Sequence, residues 1–190
     1  MLIQIFYRKK IKMVQNAPHT LDLDEKICFS YPINTEYPNT IAFSEIQSGV
    51  LMAYSSSDLI IVLSHCRYIN AVLSGHKGII MSVAFEIRGS HIIACDVHGN
   101  YYFWHYNDTG YELSRIIEFG IPAISISWFP ARREISLSTE KGLLYGNIHD
   151  FGKIPFKTLS SHSIFCQFNS DGTILASHNN TKIVNLFIFT

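Results

Sequence analysis

The sequence predicts an all-β fold, a β-propeller of about four blades, from three observations. Four short apolar runs, TIAF, SVAF, SISW and FCQF, end at Phe43, Phe85, Trp128 and Phe168, which stand 42, 43 and 40 residues apart. Each is followed six to eight residues later by a second run and then, across a polar or glycine turn, by a third. All are rich in Ile, Val, Phe and Tyr and are punctuated by Gly, Asn, Asp and Ser, the pattern of short strands in a meander. A four-strand unit at this period is one propeller blade.

The first unit, 38–73, contains strands at 40–43, 51–55, 59–63 and 68–73. The second, 74–117, places them at 82–85, 92–95, 101–104 and 112–117, and the third, 118–159, at 125–128, 135–138, 143–145 and 154–159. The fourth, 160–190, has only three, at 165–168, 174–177 and 182–187. RGS at 88–90, HGN at 98–100, EKG at 140–142 and SDG at 170–172 supply tight reversals. Small residues such as Ala53, Ala94 and Ala176 suit strands near a crowded axis. Phe43, Phe85, Trp128 and Phe168 are expected to fill the layers between neighbouring sheets.

The fourth unit lacks an outer strand, and a segment near 26–33, KICFSYPI, is a candidate to pair there and close the ring. Residues 1–25 fit no repeat and read as a flexible arm. An unfinished ring leaves sheet edges bare. Completion is therefore expected from a partner, a second copy or, as the favoured reading, further blades of a longer protein.

The 190 residues suffice for one domain with a sizeable core. Hydrophobic residues make up 47% and charged ones 16%, which argues against disorder. Fifteen basic and fifteen acidic residues cancel, leaving no global footprint for nucleic acid or an anionic membrane. Cys28, Cys66, Cys95 and Cys166 are scattered without a C-x-x-C pair and read as reduced cysteines of an intracellular protein. The N-terminus runs apolar then basic, the reverse of a secretory signal, so the sequons at Asn107 and Asn179 carry no weight. No run approaches the length of a membrane-spanning helix.

Gly75-His76 before the second unit, with Trp104 ending its third strand, resembles a WD40 repeat, and the likeness covers about residues 38–190. The resemblance implies that Gly75, His76 and Trp104 are structural. In that family the glycine–histidine pair packs against the tryptophan within a buried His–Ser/Thr–Asp–Trp hydrogen-bond network. His98 stands where the family has its turn aspartate, and His105 where it has the aspartate after Trp, so the network is expected to be incomplete. Phe119-Gly120-Ile121 replaces the Gly-His pair in the third unit, and Ser161-His162 resembles it in the fourth.

Chemistry is hard to find in this sequence. Cys95-x-x-His98 with His105 has partial ligand spacing but no fourth ligand follows, so no metal site is expected. There is no G-x-S-x-G elbow and no phosphate-binding glycine loop, and Asp96, Asp108, Glu112 and Glu118 read as solvated carboxylates. No catalytic residue, cofactor or small-molecule substrate is expected. Arg8-Lys9-Lys10-Lys12 is the one basic cluster, too small to predict nucleic-acid binding. What remains is binding of other proteins through propeller loops or an open blade edge. Tyr68, Tyr106, Tyr111, Arg132 and Arg133 are the candidate contacts, since aromatics and arginine dominate binding hot spots.

The order of Ala53-Tyr54, Leu73-Ser74-Gly75, GNYYFW at 99–104, SWFP at 127–130 and SDGTILAS at 170–177 resembles the propeller of the enhancer-of-mRNA-decapping scaffold family. That resemblance implies a non-enzymatic scaffold in mRNA decay, located in the cytoplasm (P-bodies). SISWFPARREISLSTEKGLLYG at 125–146 is similar to a blade of the small WD-repeat nucleoporin, which implies the nuclear pore instead. A substrate receptor of a ubiquitin ligase is the third reading, although residues 1–40 show no docking motif for one.

Overall fold

In a computed structural model, residues 33–34, 36–37, 39–86, 88–130, 132–151, 156–179 and 184–189 are described. They form four antiparallel sheets arranged as a four-bladed β-propeller. Sheet 1 comprises β1 (Ile41–Ile46), β2 (Gly49–Ser56), β3 (Leu59–Ser64) and β4 (Tyr68–Leu73). Sheet 2 comprises β5 (Ile80–Phe85), β6 (His91–Asp96), β7 (Asn100–Asn107) and β8 (Gly110–Glu118). Sheet 3 follows with β9 (Ala123–Trp128), β10 (Glu134–Thr139), β11 (Gly142–Asn147) and β12 (Lys157–Ser160), and sheet 4 with β13 (Phe165–Phe168), β14 (Ile174–His178) and β15 (Val184–Ile188). Each sheet is a plain meander in chain order. The one helical element among the described residues is a single 3-10 turn at Ile148–Asp150, and no described helix is long and apolar enough to cross a membrane.

The first strands of successive sheets meet at the centre. There the forty-residue period of the sequence becomes a set of hydrogen bonds. Ser44 Oγ donates to Glu86 O at 3.3 Å, Ser82 Oγ to Ala123 O at 2.7 Å, and Ser125 Oγ to Cys166 O at 3.3 Å. Ser127 Oγ accepts the Phe168 N–H at 2.9 Å. Each serine thus reaches the backbone of the residue 41 or 42 positions later, satisfying polar groups that burial would otherwise penalise. Ala53, Ala94 and Ala176 lie instead on the second strands, so the small residues at the axis are these serines.

Between the sheets lie three apolar layers. Leu51, Ala53, Ile60 and Val62 of sheet 1 pack on Val83, Phe85, Ile92 and Trp104 of sheet 2. The opposite face of sheet 2, with Ile93, Tyr101 and Phe103, packs on Ile135, Leu137 and Leu144 of sheet 3. Arg115 reinforces that second layer: it lies over the Phe103 ring and donates to the carbonyls of Ile148 and Phe151. Phe129 and Leu143 meet Cys166, Phe168 and Leu175 of sheet 4 in the third layer. Each fully buried Ile or Leu contributes about 1.5–3 kcal/mol, so these layers hold the blades together.

Of the four anchor aromatics, Phe85 and Phe168 are buried and Trp128 packs against the second layer, whereas Phe43 is 62% exposed. The reason is positional. All four point toward the preceding sheet, and no described sheet precedes the first. On that side of sheet 1, Met52, Tyr54, Ile61 and Leu63 form a smaller cluster with Ile33. The segment 26–33 lies outside the described residues except for Ile33, as do residues 1–25.

Candidate protein-interaction surface

The second blade shows how its turn chemistry is held. Gly75 has φ +99° with open space where a Cβ would sit, so the backbone conformation alone calls for glycine. It delivers His76 into the interior, where Nδ1 donates to Asp58 O at 2.6 Å and the ring meets Tyr102 edge-on at 4.5 Å. Burial holds the His76 imidazole below its ordinary value. Trp104 is buried 5.7 Å away, centroid to centroid. Neither His76 Nε2 nor Trp104 Nε1 has a hydrogen-bond partner among the described residues, so the two rings pack without the polar link that the resemblance implies.

The polar centre of this blade is Asp96, not the solvated carboxylate that its sequence context suggests. It is completely buried. Its Oδ1 accepts the His98 and Asn100 N–H groups, both at 2.9 Å, and its Oδ2 accepts Asn100 Nδ2 at 2.9 Å and the Tyr102 hydroxyl at 3.0 Å. Four donors match the lone-pair capacity of a carboxylate, which is what permits its burial. The Tyr102 oxygen in turn accepts the Lys77 N–H at 2.7 Å, and burial pushes its phenol up to about 12. Asp96 thus ties the turn between β6 and β7 to the segment that carries His76.

The meander order sends the turns after first and third strands to one end of every sheet. The five proposed contact residues all fall at that end, spread over three blades. Tyr68 is exposed at the start of β4. Tyr106 and Tyr111 flank the β7–β8 turn with ring centroids 5.1 Å apart. Tyr106 is exposed, but Tyr111 is half-buried against the first apolar layer and donates to Gly89 O at 2.6 Å, and burial raises its phenol. Arg132 lies over the Phe129 ring, while Arg133 donates to His149 Nε2 at 2.8 Å. The side chains do not converge on one spot. They decorate a ring face.

A larger surface lies on sheet 4, where the sequence pattern gives no sign of it. The β13–β14–β15 register puts Phe165, Ile174, Ala176, Val184, Leu186 and Ile188 on one face, with Gln167 and His178 as its polar members. The opposite face packs on sheet 3; this one does not, and Leu186 and Ile188 are 65% and 78% exposed. Among the described residues no Asp, Glu, Lys or Arg interrupts it. Contiguous exposed apolar surface is uncommon on a folded monomer, which makes this face the candidate interaction surface. Among the described residues β15 is also the outer edge of its sheet, with its second row of backbone groups unpaired by any strand.

At the opposite end from the five contact residues, a cavity of about 310 Å³ is lined by Ile124, Thr139, Glu140, His162, Ser163 and Ile164. The Ser163 hydroxyl is held by those of Ser138 at 2.6 Å and Ser177 at 2.9 Å rather than by a base. Cys95 and Cys166 are buried thiols, and burial raises both, Cys95 to about 12. The Cys95 sulfur faces sheet 3, accepting the Ala123 N–H at 3.3 Å. His105 lies opposite His91, four strand positions or about 13 Å along β6 from Cys95, which separates the trio considered above. Neither a scan against protein-family models nor a search of curated proteins returns a match to this chain.

Proposed function

We propose that the chain is a non-enzymatic protein–protein interaction module, a propeller of the WD40 type whose fourth sheet receives the partner. The supporting observation is the uncharged apolar face of sheet 4, continuous with the edge strand β15. Such an edge accepts an added strand through backbone hydrogen bonds, and pockets between alternate side chains then supply specificity. Tyr68, Tyr106, Arg132 and Arg133 offer a second set of contacts on the ring face. The finer reading is a scaffold of mRNA decapping that works in the cytoplasm, and its support is the order of sequence motifs described above.

The test is affinity capture of the intact chain from cell extract, in parallel with Leu186→Asp. Leu186 is exposed, so the charge leaves the core untouched. Decapping factors captured by the wild type and lost by the variant support both readings. Nuclear-pore subunits lost in the same way retain the interaction module and overturn the decay assignment. Capture unchanged by Leu186→Asp overturns sheet 4 as the binding surface.

A further inference from the structure

We propose that His91 and His105 form a chelating site for a late first-row divalent metal ion, with copper(II) the tightest ligand. The two residues face each other directly across β6 and β7, and His91 Nε2 lies 3.1 Å from His105 Nδ1. Which nitrogen of His91 carries the proton follows from its neighbours. Ser90 Oγ lies 2.8 Å from both Glu86 Oε2 and His91 Nδ1. A carboxylate only accepts, so the single hydroxyl proton goes to Glu86, and His91 Nδ1–H must be the donor to Ser90. His91 Nε2 is therefore the acceptor and His105 Nδ1–H the donor of this contact, and an ion entering between them takes the place of that proton as His105 shifts to its Nε2–H tautomer.

This is the arrangement that tunes metal-binding histidines: the distal ring nitrogen is fixed through a hydrogen-bonded chain ending in a carboxylate, leaving the other free to ligate. The bite is also right. Two imidazole nitrogens 3.1 Å apart, each about 2.0–2.1 Å from a common ion, subtend about 95–102°. That lies between the right angle of tetragonal copper and the tetrahedral value, so the bite admits either geometry, and copper heads the affinity order of these ions for nitrogen donors. His105 is exposed and His91 half-buried beside Trp128, so an ion has access. No third His, Cys, Asp or Glu joins the pair among the described residues, so water or a partner protein's side chain completes the coordination.

The experiment titrates copper(II) into the full chain at about pH 7.5, followed by calorimetry and electron paramagnetic resonance. One ion is expected at this site, with hyperfine coupling from two nitrogens. His105→Asn, an exposed change that leaves the core intact, should abolish the two-nitrogen signature and weaken that binding step at least about tenfold. Ser90→Ala keeps both ligands but releases His91 and should weaken binding about 10–100-fold. A copper site elsewhere in the chain survives in both variants and is told apart in that way. Binding and spectrum unchanged in His105→Asn would show that the pair merely shares a proton, and the proposal falls; equal affinity in Ser90→Ala with the spectrum retained removes the orienting role of the Glu86–Ser90 chain.

Discussion

Sheets 2 and 4 are built from the same kinds of residue and live in different surroundings. In sheet 2, β6 and β7 are buried on both faces, with Ile92, Ala94, Tyr102 and Trp104 turned to sheet 1 and Ile93, Cys95, Tyr101 and Phe103 turned to sheet 3. Their near-continuous apolar runs are what two-sided burial demands. In sheet 4, β13 and β15 alternate between covered and bare positions, yet apart from Gln167 the bare ones are Phe165, Val184, Leu186 and Ile188. Ordinary one-sided sheets turn polar residues to water. Sheet 4 therefore has a composition close to that of a sheet covered on both faces, and the proposed partner site rests on this contrast.

The contrast is broken most severely from the sheet 2 side. Trp104→Ala removes a buried indole that packs on His76 and the first apolar layer, and should cost about 3–5 kcal/mol. Denaturant unfolding followed by circular dichroism measures it. A loss below about 1 kcal/mol would mean that the indole is not packed between the sheets. Asp96→Ala comes next, at about 1–3 kcal/mol, because Asn100 and the Tyr102 hydroxyl lose a buried acceptor. A near-neutral result there would leave the turn between β6 and β7 held by its backbone alone.

These two residues also mark what was legible in the sequence. Trp104 announced itself by its distance from Gly75-His76, and the strands announced themselves because two-sided burial writes long apolar runs. Asp96 did not, since a carboxylate before a glycine turn is usually solvated. Its signal was local: an Asp directly after the apolar run IIAC, placed to accept from the backbone two and four residues on. The bare face of sheet 4 was illegible for the opposite reason, because its residues are those of a covered face. Phe43 misled in the same way. A repeat pattern shows which way a side chain points, but not whether another sheet stands there.

A pH change probes the same blade more gently. Burial lowers the His76 imidazole in the folded state, so between its folded value and about 6.5 the unfolded chain binds the extra proton. Stability is then fully present above about pH 6.5 and declines as the pH falls below it. Thermal unfolding at pH 7.5 and 5.5 should show this decline, and His76→Gln should flatten it in part. His91, lowered chiefly by burial as well, retains its own contribution in that variant. A slope unaffected by His76→Gln would place the pH dependence elsewhere.

The smallest expected effect is the most informative about sheet 4. Leu186→Ser replaces an exposed apolar side chain on β15, and a substitution that removes no buried contact changes stability by no more than about 0.5 kcal/mol. The same replacement at Ile93, on the sheet 2 face that packs on sheet 3, strips a fully buried side chain and should cost several times as much. Chemical denaturation of the two variants side by side compares one residue class in two surroundings. If Leu186→Ser costs about 2 kcal/mol or more in the isolated chain, its side chain is already covered there, and sheet 4 is not free to receive a partner. If it costs almost nothing, the apolar row on β15 does not serve the fold of this chain, which is the result the proposed partner site requires.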